Sequence, residues 1–295
     1  MQGVFLCRDM AISVIEYYLN YYALEGERKM ANIVEVAKNE LTFEKVLITA
    51  MRTPGVKINR AKFLQKELTK YCSEYEIKEA IKYNPAKAGI SKKTIYKVST
   101  AVINYETTKV TGLSVTASIP GGGWAVGAAA ADITSYFAFI LRIVQELAYL
   151  YGFDQFEFNE DSVDSETMQQ VLVFIGVMFG VQGAATALQK VADVFSKHIA
   201  KNLANKALTK TVYYPIIKNV AQKVGIHMTK QIFADTVASA IPIIGGVLSG
   251  GLTYAMFKPG CMKLRKNLMT YNLCDPEYYR NIEVESVVME ETEEE

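Results

Sequence analysis

Three long stretches without a charged residue set the terms for this chain. They are 22 residues between Lys109 and Asp132, 23 between Glu166 and Lys190, and 22 between Asp235 and Lys258. Each has the length of about 20 residues that crosses a bilayer as a helix. Their content is glycine, alanine, serine and threonine rather than leucine and isoleucine, which makes them weak spanning segments on a transfer scale. Close-packed helices explain that composition. Ser118-Ile119-Pro120 precedes Gly123, Gly127 and Ala131; Ala240-Ile241-Pro242 precedes Gly245, Ser249 and Thr253. In both runs the small residues fall three, seven and eleven positions after the proline. The middle stretch repeats the spacing with Gly176, Gly180 and Ala184. Residues four apart share a helix face, and a face of small residues lets two helix backbones approach closely. Glycine costs about 1 kcal/mol per helical position relative to alanine, so its recurrence at one spacing points to packing.

The remaining pattern is helical too. Val46, Leu47 and Ala50, then Phe63, Leu64 and Leu68, recur at helical spacing, as do Ile33, Val36, Ala37 and Leu41. Thr53-Pro54-Gly55 reads as a stop and turn, Asn84-Pro85 as a segment end, and Gly89-Ile90-Ser91 as a C-cap followed by an N-cap. No period-2 run suggests a strand. The expectation is an all-α chain, a multi-helix bundle with Gly/Ala-rich close-packed apolar helices. It divides into an N-terminal helical region over 1–109, a core over 110–274 and an acidic tail over 275–295, read as disordered.

Charge is unevenly spread. The formal net charge is +1, yet residues 275–295 carry −8, leaving +9 elsewhere. From 190 to 230 there are eight lysines and one acid, Asp193. Lys197/Lys201 and Lys206/Lys210 are i, i+4 pairs with Val191, Val194, Phe195, Ile199 and Leu203 between them. Such a basic amphipathic segment suits an anionic membrane surface, although solubilising lysines on an ordinary helix face give the same pattern. Folding the acidic tail back would screen it. The tyrosines here, Tyr213 and Tyr214, are confined to one spot, so nucleic acid is not an expected partner.

No motif points to catalysis. GxxxxGK[ST], GxGxxG, GxSxG and HExxH are all absent. Four cysteines and two histidines stand far apart, which supplies no metal site, and no cofactor is expected. The residues near the N-terminus lack the order of a signal peptide, so the expected location is the cytoplasmic side. One candidate polar site stands out: Asp132, Arg142, Glu146, Tyr151 and Asp154. Arg142 and Glu146 are spaced to pair along a helix, whereas Asp132 lies about 15 Å from Arg142 along the axis. Asp132 is then a cap, a charge with a distant partner, or a group exposed to water.

The run Ala131-Asp132-Ile133, Leu141-Arg142-Ile143, Ala148 and Tyr151-Gly152-Phe153-Asp154 resembles the central signature of the EcsC family. Ala240 to Val247, with Gly250-Gly251, is similar to that family's C-terminal glycine motif. The resemblance spans roughly residues 110–265. Thr134 stands where members often place a proline. The resemblance implies a bacterial, helical, glycine-rich protein associated with membranes, in a family named for a gene beside an ABC transporter and without a defining reaction. The expected function is therefore non-enzymatic: a helical protein at the cytoplasmic membrane, peripheral or partly inserted, accessory to a transporter or another membrane complex. Two alternatives stand beside it. One is a soluble helical protein with a ligand or hydrolytic pocket near Asp132, Arg142 and Glu146. The other is a membrane-inserting effector.

Overall fold

The computed structural model describes residues 43–116, 125–158, 165–201, 218, 221–222, 224 and 248–282, with the backbone alone at 44, 112–116, 125–133, 165–166 and 248–256. Gly123, Gly245, Lys206, Lys210, the two proline motifs and the glutamates beyond 282 lie outside the described residues. Among those described the chain is all-α. The helices are α1 (Phe43–Arg52), α2 (Arg60–Leu68), α3 (Glu74–Lys82), α4 (Lys92–Thr116), α5 (Ala125–Leu150), α6 (Ser165–Phe179), α7 (Ala184–Ala200) and α8 (Leu248–Leu268). A 3-10 turn at Asn272–Cys274 and a helical stretch at 276–282 follow.

Local chemistry sets the boundaries. Asn59 accepts a bond from the Lys62 amide (2.9 Å) and opens α2. Ser73 and Glu76 form a reciprocal capping box at α3. Ser91 receives the Thr94 amide (3.1 Å) at the start of α4. Gly89 before it and Gly55 after α1 both take positive φ, as the turn signals predict. Helix α5 ends in a Schellman motif: Phe153 N–H bonds Ala148 C=O (2.9 Å), Gly152 N–H bonds Tyr149 C=O (3.3 Å), and Gly152 has φ 96°.

Helix α5 is the hub, packing on α1, α2, α4, α6 and α8. Residues 143–153 are buried without a break. A helix buried on every side must pair its polar groups, here Gln145 and Glu146, inside the protein. The Phe153, Phe156, Phe174 and Phe195 rings meet below its C-terminus, with centroids 5.0–5.9 Å apart.

The middle uncharged stretch departs from the sequence expectation. It is not one helix face but a helical hairpin. Gly180 has φ 78° and closes α6, with Val181 N–H on Gly176 C=O (2.7 Å) and Gly180 N–H on Val177 C=O (3.2 Å). Gly180 is thus a C-cap. Gly176 and Ala184 still meet, across the turn rather than along one helix. A Cβ on Gly176 would sit 3.0 Å from Ala184 Cβ and 2.6 Å from Val224 Cγ2. A second close approach, at Gly260 of α8 against Met178 of α6 (2.9 Å to Cγ), was not among the predicted packing residues. Gly127 and Ser249 lie on α5 and α8. No helix among the described residues is long and apolar enough to cross a membrane.

Gly176→Ala should lower stability in urea unfolding by about 1–3 kcal/mol despite its better helix propensity, because the new Cβ strikes a stiff valine. Gly260→Ala should cost less, since the flexible Met178 side chain can swing aside. Val224→Ala should largely cancel the effect of Gly176→Ala in a double-mutant cycle.

Candidate functional site: two carboxylates on one guanidinium

The α1–α2 connection runs over α5 and buries backbone, so its polar groups need partners. One polar stripe on α5 supplies them. Arg142 Nη1 donates to Gly55 C=O. Gln145 Nε2 donates to Val56 C=O (2.8 Å), and its Oε1 accepts the Ile58 amide (3.0 Å). Tyr149 O–H donates to Ile58 C=O (3.3 Å) and accepts the Phe156 amide (3.2 Å). These side chains stand three and four residues apart and so share one side of the helix.

Arg142 does more than hold the loop. Its Nε and Nη2 grip both oxygens of Glu106 on α4, at 3.3 and 3.0 Å. Nη2 also donates to Glu146 Oε1 at 3.1 Å, the i, i+4 pair expected from the sequence. Glu106 is wholly buried, the Glu146 side chain is 6% exposed, and the Arg142 side chain 23%. Lys109 approaches Glu106 Oε1 at 3.5 Å and lies over the Tyr105 ring. Two carboxylates share one guanidinium in a nearly dry site. Burial, and next the Glu106 charge, push the Glu146 carboxyl up to about 8, with Arg142 pulling the other way. Glu146 Oε2 is buried without a partner. The arrangement can hold a proton on Glu146 at neutral pH.

The other predicted members lie elsewhere. Tyr151 bonds Ser99 (3.1 Å) and is pushed up to about 12, first by burial. Asp154 accepts the Gln155 amide (2.8 Å) and lies near Arg60. Asp132 is placed on α5 by its backbone. Arg60 has a separate role. Its guanidinium donates to the carbonyls of Ala80, Ile81, Tyr83 and Phe153 at 2.7–3.1 Å, closing the C-terminus of α3 and fixing the chain beyond α5. Burial lowers its pKa to about 10.

Glu106 was missed from the sequence, and a signal was there. It is the one acid in α4 and stands on the apolar face with Val98, Val102, Ile103 and Val110. A lone carboxylate on an apolar stripe asks for a buried partner.

Chemistry beyond proton holding finds few groups here. Cys261 and Cys274 are free but buried, and burial raises both thiols above their ordinary value. Among the described residues no group of three metal-ligating side chains comes together. A cleft of about 210 Å³ is lined by Lys57, Asn59, Gln155 and Glu157 with Ile58, Phe156 and Phe158. None of Glu106, Arg142 and Glu146 borders it.

Glu146 gives stability a pH signature. Its folded-state pKa is raised, so its contribution is complete below the ordinary carboxyl value of 4.5 and is lost as pH rises through about 8. Unfolding free energies from urea titration should fall over that window, by at most about 1.4 kcal/mol per pH unit, and Glu146→Gln should flatten the slope. Arg142→Met should cost about 3–5 kcal/mol by leaving Glu106 buried with only Lys109 near it.

No protein-family model, curated protein or solved structure matches this chain. Its site is therefore read from its own residues.

Proposed function

We propose that this chain is a non-enzymatic helical protein that docks on the cytoplasmic membrane, as an accessory to a transporter or another membrane complex. The observation that carries the reading is the outer face of α7. Lys190, Lys197 and Lys201 are exposed there, and Asp193 is the one acid within α7. The opposite face, with Leu188, Val191, Phe195 and Ile199, is buried in the core. A helix whose apolar side is already packed does not sink into the acyl boundary. What it offers a bilayer is charge, worth about 1 kcal/mol per lysine near an anionic surface. Docking of this kind is peripheral and salt-sensitive. The resemblance to the EcsC family points the same way.

A hydrolytic pocket at Glu146 is the second reading, favoured by the raised carboxyl. It requires an opening onto a carboxyl whose side chain is 6% exposed. The docking reading needs no rearrangement.

Purified protein should float with vesicles containing anionic lipid, should stay behind with neutral vesicles, and should be released by high salt. Replacing Lys190, Lys197 and Lys201 by glutamine should lower partitioning by about two orders of magnitude, three lysines at about 1 kcal/mol each. Protein that ignores anionic vesicles would overturn the reading. Flotation that survives carbonate, with release of vesicle contents, would replace it with insertion.

A further inference from the structure

Arg265 is 3% exposed, and no carboxylate meets it among the described residues. Its guanidinium donates to Thr100 Oγ1 (2.6 Å), to Tyr96 O–H (3.4 Å) and to Met262 Sδ (3.0 Å), and it stacks over the Tyr96 ring at 4.2 Å. All four contacts are neutral. The dipole at the C-terminal end of α8 offsets only part of the charge. At 3% exposure the guanidinium is no contact point itself; it adds positive potential beneath the surface. Around it the surface is sticky as well as basic. Tyr96 and Met262 are 44% and 42% exposed, and Lys93 and Lys97 are exposed beside them on α4.

The end of the described chain leads to this strip. Asp275 Oδ2 pairs with Lys92 Nζ at 2.8 Å, in the first turn of α4. The Tyr279 hydroxyl, which accepts from Asn84 (3.0 Å) and donates to Leu273 C=O (3.3 Å), fixes the helical stretch that follows. Thirteen residues remain beyond Ile282, and seven of them are glutamates, with no lysine, arginine or histidine. Val284, Val287, Val288 and Met289 stand among them. Thirteen extended residues reach about 43 Å. Thr100 lies about 12 Å along α4 from Lys92.

We propose that segment 283–295 of this chain docks on the strip formed by Lys93, Tyr96, Lys97 and Met262 above the buried Arg265, its glutamates meeting the two lysines and its valines and methionine the exposed Tyr96 and Met262. The α7 lysines are then left uncovered. The strip is the tail's own seat, and an acidic partner would have to displace the tail to use it.

Zero-length carbodiimide coupling of the dilute full-length chain, mapped by mass spectrometry, tests this. Tail glutamates should link to Lys93 and Lys97. Tyr96→Ser with Lys97→Glu should reduce the Lys93 link at least fivefold while leaving Lys93 itself in place. Arg265→Met should lower the link yield in the same direction if it folds, judged by circular dichroism; otherwise the surface variant carries the test. Links confined to Lys190, Lys197 and Lys201, or no tail links, would overturn the proposal. So would links between chains in a mixture of isotopically light and heavy protein, which would make a second copy the occupant. Flotation does not enter the readout, so failure of the membrane reading would leave this result standing.

Discussion

Arg142 is the charge that the bundle is arranged around. Helix α5 is enclosed by five neighbours, and an enclosed helix has little room for an unpaired cation. The guanidinium is held from three directions: Glu106 on α4, Glu146 one turn along α5, and Gly55 C=O on the α1–α2 connection. Remove the arginine and two buried carboxylates face each other, while one loop carbonyl loses its donor. Fixing α4, α5 and the loop together also fixes the seat of α1, which packs on the same helix.

Three core arginines solve one electrostatic problem in three ways. Arg60 turns to backbone carbonyls and uses the negative end of a helix. Arg142 takes carboxylates, which bring their own desolvation and force a proton onto one of them. Arg265 takes hydroxyls, a thioether and an aromatic face. Of the three, Arg265 alone meets neither a carboxylate nor a carbonyl within the described residues. That contrast leaves the charge of Arg265 the least neutralised of the three, although it too holds helices together, α8 to Thr100 of α4.

Much of the fold was legible because it is local. The cap at Ser91 and the turns at Gly55 and Gly89 act over three or four residues, and the sequence shows them directly; the caps at Asn59 and Ser73 are as local but were not read from it. The Arg142–Glu146 pair was legible for the same reason, being one turn apart on one helix. Glu106 is 36 residues from Arg142, and no spacing rule reaches across two helices. The Gly176–Gly180–Ala184 spacing misled in an instructive way. Four-residue periodicity is the mark of one helix face, but a glycine at positive φ ends a helix at the same spacing. Tyr151 and Asp154 follow Glu146 closely in sequence and yet serve other partners, because the chain turns at Gly152.

Helix α7 shows why burial must be known before an amphipathic pattern is given a meaning. Lysines beside valine, phenylalanine and isoleucine fit two arrangements: a helix lying in a bilayer surface, or one lying on a protein core. The buried set on α7 shows that the core has claimed the apolar side. The lysine side then acts through the solvent, over a Debye length of about 8 Å at physiological salt, and without the grip of inserted side chains. Binding carried by charge alone is easily reversed. The same physics would let the glutamate-rich tail compete for any uncovered cation. Its ability to do so depends on where it is seated, and the Asp275–Lys92 pair starts it beside α4, within reach of the exposed Lys93 and Lys97 rather than of the lysines on α7.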